Sequence, residues 1–244
     1  MNILLIAGHG AGDPGAIGNG YKEADLVREL LSKIKSILDP FSNVTVFDTT
    51  KNMYRHLKSG KTFDFSPFDY ILELHFNAGI SEISKNNGIT TGTEILVHTN
   101  ESGVTVEDKI VKNIAGLWFK NRGVKRRNNL QNMNIIHRKG KSYALLETCF
   151  IDDADDMKLY SSKKEAVALA IANGIIDGFG LKKSITELTT VNDIVWELAN
   201  RGIISDKNLW LQKLEKDTDS YWLARKCVNY IISKWFNFSK INGL

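Results

Sequence analysis

The sequence predicts an α/β protein, with a twisted, mainly parallel sheet flanked by helices over residues 1–180 and a small all-α unit after it. Three observations predict this. Short β-branched or leucine-rich runs alternate with stretches of helical periodicity, as a parallel sheet requires. The length of 244 residues suits one domain of catalytic size with a small companion. Four of the five tryptophans (Trp196, Trp210, Trp222 and Trp235) fall in the last quarter of the chain, so the composition changes after Leu181-Lys182-Lys183-Ser184.

The strand candidates are Ile3–Ala7, Val44–Asp48, Tyr70–Phe76, Thr93–His98 and Tyr143–Thr148. Between the first two, Leu26, Leu30, Ile34 and Leu38 recur every four residues beside Val27, Leu31 and Ile37, which gives one wide apolar helical face to cover the sheet. Ile110, Val111, Ile114, Leu117 and Trp118 mark a second helix. Val167, Ile171 and Ile175 mark a third, which ends at Gly178 and Gly180. Residues 49–68 and 77–92 have no clean period, and Ser81–Gly92 reads as an exposed loop. In the tail, 186–244, three short helices are expected: one around Val191–Leu198 stopped by Gly202, one around Trp210–Leu214 and one over Tyr221–Trp235.

Composition excludes several classes. With 43% hydrophobic and 25% charged residues, the chain is not mainly disordered. Its longest apolar runs fall far short of the ~18 residues of a membrane span, so no membrane partner is expected. A net charge of +4 is mild for a dedicated nucleic-acid binder, so none is expected there either, although it suits a polyanionic surface. The first ten residues hold no basic n-region and too short an apolar run for a signal peptide, so standard secretion is not expected. Cys149 and Cys227 are too few for a disulfide framework and read as buried thiols.

The chemistry begins after the first strand, at Gly8-His9-Gly10-Ala11-Gly12-Asp13-Pro14-Gly15-Ala16. Residues 10–15 match G-x-G-x-x-G, but a nucleotide loop should run straight into a helix, and the periodic helix here starts near Glu23. The glycines are better read as letting the backbone turn sharply around His9. Glu23 opens the helix, where a carboxylate also suits the positive helix end. His75 ends the strand Tyr70–His75, and the carboxyl ends of neighbouring parallel strands lie side by side. His9, Glu23 and His75 can therefore converge, and two imidazoles with one carboxylate and an open position is the ligand set of a catalytic zinc site.

Glu147 follows an apolar run that should be a buried strand, where a lone carboxylate is costly. It is either a general base beside a metal and its water, or half of an ion pair with Arg126, Arg127 or Arg138. Glu73, two residues before His75 and on the same strand face, is expected as an outer group around the site or a surface group. Asn77 is expected to line the cleft or orient His75. His56, His98 and His137 match no pattern.

In this order the residues resemble the zinc-dependent N-acetylmuramoyl-L-alanine amidases of the amidase-3 type, found in bacterial autolysins and phage endolysins. The elements are His9-Gly10 with Asp13-Pro14-Gly15-Ala16, Glu23 with Leu26, His75-Phe76-Asn77-Ala78, and Glu147-Thr148-Cys149-Phe150. The resemblance covers roughly residues 1–180. It implies Zn2+ on His9, Glu23 and His75, with Glu147 as the catalytic carboxylate. The substrate it implies is bacterial peptidoglycan, cut between N-acetylmuramic acid and L-alanine. Cys149 departs from the family's usual glycine and points to a different turn after Glu147.

A phage-type endolysin of this kind would wait in the host cytoplasm until a membrane pore releases it. Another zinc peptidase or deacylase on the same scaffold is the nearest rival. A peptidoglycan-binding protein without activity is disfavoured, because binding alone has no use for Glu147. Lys125-Arg126-Arg127 and Arg138-Lys139-Gly140-Lys141 read as solvated faces that anionic wall polymers would also suit. The tail, which resembles the helical tails of some phage lysins, is expected to target the wall or to self-associate, with most of its tryptophans as core.

Overall fold

The computed structural model describes residues 1–10, 12–80 and 85–182, and in the tail 195, 199, 206 and 209–212. The chain divides into two compact units, Met1–Ser184 and Ile185–Leu244. Apart from Val195, Ala199 and residues 209–212, all helical, the expected tail helices lie outside the described residues, as do Cys227 and the tail tryptophans other than Trp210.

The elements run β1 (Asn2–Ala7), a small hairpin of β2 (Ile17–Gly18) and β3 (Tyr21–Lys22), α1 (Glu23–Leu38), β4 (Asn43–Val46), α2 (Met53–Lys58) and β5 (Tyr70–Asn77). They continue as β6 (Thr93–His98), α3 (Thr105–Ala115), β7 (Asn121–Arg127), α4 (Gln131–Arg138), β8 (Ser142–Phe150) and α5 (Ala154–Phe179). Six strands form one sheet in the order β4-β1-β5-β8-β6-β7, and only β6 against β8 is antiparallel. The mainly parallel sheet is therefore as expected. The strand β7 and the short helices α2 and α4 were not anticipated.

Alternation along each strand sorts its residues between two faces. Ile3, Leu5, Leu72, Leu74, Ile95, Val97, Ala144 and Leu146 pack beneath α1, α3 and α5. Leu4, Ile6, Ile71, Leu96, Tyr143 and Leu145 pack beneath α2 and α4, through Met53, Leu57, Met133 and Ile136. Three long helices cover the first face. The second has only helices of six and eight residues, and further along its strands the apolar series gives way to His75, Glu147 and Glu94.

The segment 85–92 is a loop exposed at residues 86–89, as expected, and it is tied down at its carboxyl-terminal side. Asp153, Asp155 and Asp156 at the start of α5 accept hydrogen bonds from the backbone amides of Thr91, Gly88 and Gly92. Helix α5 ends at Gly180 in the left-handed conformation, as its sequence predicts.

Candidate metal centre and active site

The chain leaves β1 in one direction through α1 to β4 and returns on the opposite side as β5. This makes the carboxyl ends of β1 and β5 the switch point at which open α/β sheets place their sites. His9 follows β1 with φ 61°, followed by Gly10 at φ 94°, so the chain reverses tightly here and closes a bridge between Gly10 and Asp13. A left-handed conformation is costly for histidine. Arg28 on α1 supports it by donating to the carbonyls of Gly8, His9 and Thr49. No helix starts within this loop. Helix α1 begins at Glu23, whose amide donates to Ala16 O while that of Ala24 donates to Pro14 O.

His9, Glu23 and His75 come together, with one donor atom from each lying within 4.8 Å of the others. Glu23 sits between the imidazoles. His75 Nδ1 lies 2.9 Å from Glu23 Oε1 and His9 Nε2 lies 3.1 Å from Glu23 Oε2. The amides of Phe76 and Ala16 also donate to these two oxygens, each at 2.9 Å. Burial raises the Glu23 pKa, but the hydrogen bonds with His75 and His9 outweigh it and hold the carboxylate well below its ordinary range.

Each imidazole is also held from behind. His9 Nδ1 lies 3.1 Å from Asp13 Oδ2, and Asp13 in turn accepts from Gly15 N and Asn52 Nδ2. His75 Nε2 lies 3.1 Å from Glu73 Oε1. Glu73 is not a surface group. It is buried, and it accepts from Tyr143 OH at 2.7 Å and Asn132 Nδ2 at 2.9 Å. With one nitrogen of each ring given to an outer carboxylate, the other is left to face Glu23, the arrangement in which histidine binds metal ions. This donor set fits a divalent ion with an open coordination position.

Glu147 is the neighbour of His75 across the β5–β8 ladder, and Glu94 is its neighbour across β8–β6. Its Oε2 is sealed from solvent without a hydrogen-bond partner. Burial pushes its pKa up to about 7, against the opposing pull of His75. The ion-pair reading fails: Arg126 donates to the carbonyls of Thr99 and Glu101, and no described contact from Arg126, Arg127 or Arg138 reaches Glu147. Two further expectations change. Asn77 donates to Glu94 Oε1 and does not orient His75. Instead of a turn after Glu147, β8 runs on to Phe150 through a register shift, with Cys149 fully buried.

The sequence profile of the N-acetylmuramoyl-L-alanine amidases matches residues 3–177. The chain belongs to this amidase family. It is 29% identical over 187 residues to the endolysin of Bacillus phage SPP1, covering 74% of this chain and 67% of the endolysin. It is 26% identical over 189 residues to a Staphylococcus aureus protein named "Probable autolysin PH", covering 71% of this chain and 38% of that one. The chain thus spans well under half the length of that autolysin. The fold is shared with the CwlD amidase from Clostridioides difficile, with a TM-score of 0.59, 21% identity, and coverage of 73% of this chain and 98% of that one.

Asp13 and Arg28 are the residues around the site whose roles sequence reasoning did not assign, whereas Glu73 takes the outer-group role that was one of its two expectations. Asp13 lies inside the Asp13-Pro14-Gly15-Ala16 motif and Glu73 shares a strand face with His75, so both carried a signal. Arg28 carried none, because its partners are backbone carbonyls distant in sequence.

Proposed function

We propose that this amidase is a zinc enzyme that hydrolyses the amide between N-acetylmuramic acid and L-alanine in peptidoglycan, and that it serves a phage as its endolysin. The observation that carries the reading is the convergence of His9, Glu23 and His75 beside Glu147, whose buried Oε2 has no partner. Zinc held by those three residues would supply Lewis-acid polarisation of the scissile carbonyl and of the attacking water. Glu23 and the two imidazoles would hold the ion, and Asp13 and Glu73 fix which ring nitrogens face Glu23. Glu147 takes one proton from the water as its oxygen bonds to the carbonyl carbon. It gives that proton to the nitrogen as the C–N bond breaks, so that the products are a lactyl carboxylic acid and a free amine, and the acid's remaining proton passes to the amine or to solvent.

The similarity to a phage endolysin supports the lytic role, with synthesis in the host cytoplasm and access to the wall after the membrane is breached. Residues 186–244 are proposed as a unit that targets the wall or self-associates, and Lys125-Arg126-Arg127 and Arg138-Lys139-Gly140-Lys141 as the faces that anionic wall polymers would meet. The catalytic reading is tested by zinc content and lysis of purified cell walls. Wild type and Glu147→Gln should each hold about one zinc per chain, and the variant should lose at least ~100-fold in rate. Wild-type digestion should release free L-alanine amino termini without new reducing sugars. No zinc in either protein, or equal lysis by both, would overturn the assignment.

A further inference from the structure

Strand β7 carries a bulge with a consequence for the site. Thr93 pairs with Asn121 and Ile95 with Val124, so Arg122 and Gly123 together oppose the single residue Glu94. In a regular strand, residues three apart face opposite sides. The extra residue brings Arg122 and Lys125 to one side, and both reach the same oxygen, with Arg122 Nε and Lys125 Nζ each 2.6 Å from Glu94 Oε2. Glu94 is buried and is the ladder neighbour of Glu147, which ties this cluster to the catalytic edge of the sheet.

The cluster holds two cations on one carboxylate, so its net charge is positive, and the exposed part is the cationic part. The Glu94 side chain is 6% exposed, whereas those of Arg122 and Lys125 are 27% and 34% exposed. The Arg122 guanidinium lies over the Phe150 ring, 4.8 Å from its centre. Its Nε is committed to Glu94, and among the described residues neither Nη1 nor Nη2 makes a hydrogen bond. A guanidinium fixed on one edge and over one face, with its two terminal nitrogens free, is prepared for a planar carboxylate.

We propose that Arg122, with Lys125 beside it, forms a subsite for a free carboxylate on the peptide side of the scissile bond. This deepens the amidase reading and rests on it. Strand β7 lies two strand spacings from β8, roughly 10 Å. An extended peptide advances about 3.3–3.6 Å per residue, so a carboxylate within the first three residues of the leaving peptide spans that distance.

The test compares kcat/KM for N-acetylmuramyl-L-alanyl di- and tripeptides carrying either a free C-terminal carboxylate or the carboxamide. Wild type should favour the acid by about 10- to 100-fold in at least one length, chiefly through KM. Arg122→Gln should bring the two substrates close together, and Arg122→Lys should retain an intermediate preference. Equal cleavage of acid and amide by wild type at both lengths overturns the subsite alone, as does a full preference surviving in Arg122→Gln. Cleavage of none of these peptides by zinc-loaded wild type sinks the amidase reading, and the subsite with it.

Discussion

At the scale of single residues, the site depends on groups that would touch no substrate. Glu73 is a buried carboxylate held by Tyr143, Asn132 and His75. Its charge is sustained by these contacts and serves to orient the His75 ring. Glu73→Gln preserves the shape and removes the anionic acceptor, so zinc affinity should fall by about 10- to 100-fold, measured by competition with a chromophoric chelator. Gly10 is constrained in two ways. Its φ of 94° is unfavourable for any other residue, and a Cβ there would lie 1.9 Å from Arg28 Nη2. Gly10→Ala should displace the arginine that holds the His9 loop, and the variant should bind zinc more weakly and lyse walls more slowly. Unchanged metal affinity in Gly10→Ala would mean that Arg28 is not needed to hold His9 in place.

At the scale of elements, α5 does two separate jobs. Along its second half it meets α3 at glycine contacts, where a Cβ on Gly174 would lie 2.7 Å from Ile110 Cα and one on Gly178 would lie 2.8 Å from Val106 Cα. Gly174→Ala should therefore force the helices apart and lower stability by ~1–3 kcal/mol in urea unfolding, despite the better helix propensity of alanine. At its N-terminus, Asp156 accepts from Phe150 N and Gly92 N, joining the end of β8 to the start of β6. Burial nevertheless raises the Asp156 pKa from 3.8 to about 6. Between about pH 4 and pH 6 the folded protein keeps a proton that the unfolded chain has released. Stability from this residue therefore falls as pH rises through that window, by up to ~3 kcal/mol, and levels off above it. Asp156→Asn should remove that loss. Urea midpoints at pH 4 and pH 7 should show the variant gaining on wild type at the higher pH, and parallel behaviour would refute this role.

At the scale of the whole molecule, unequal helical cover makes the cleft. The face beneath α1, α3 and α5 is apolar along its length, whereas α2 and α4 cover only part of the other face. Where that cover ends, the strands carry His75, Glu147 and Glu94, which lie in one row across β5, β8 and β6. The row joins His75, near the switch point, to the cationic cluster on the edge strand β7, giving the sheet edge a direction from the candidate metal centre toward the proposed carboxylate subsite. The same edge position explains why β7 was illegible in the sequence. Asn121-Arg122-Gly123-Val124-Lys125-Arg126-Arg127 has a single apolar residue, because an edge strand with a charged outer surface has little to bury.

The sequence by itself determined the α/β class, the leucine face of α1, the buried strands and the order of His9, Glu23, His75 and Glu147 along the chain. Burial writes a period of two or 3.6 into sequence, and residue chemistry narrows what a carboxylate after an apolar strand is for. Tertiary structure alone decided that Glu73 is buried behind His75, that Arg28 holds the His9 loop through backbone carbonyls, and that Arg122 and Lys125 share Glu94. These contacts join residues far apart in the chain or depend on a one-residue bulge. Local periodicity encodes neither, because sequence spacing fixes the face a residue takes only while the strand or helix stays regular.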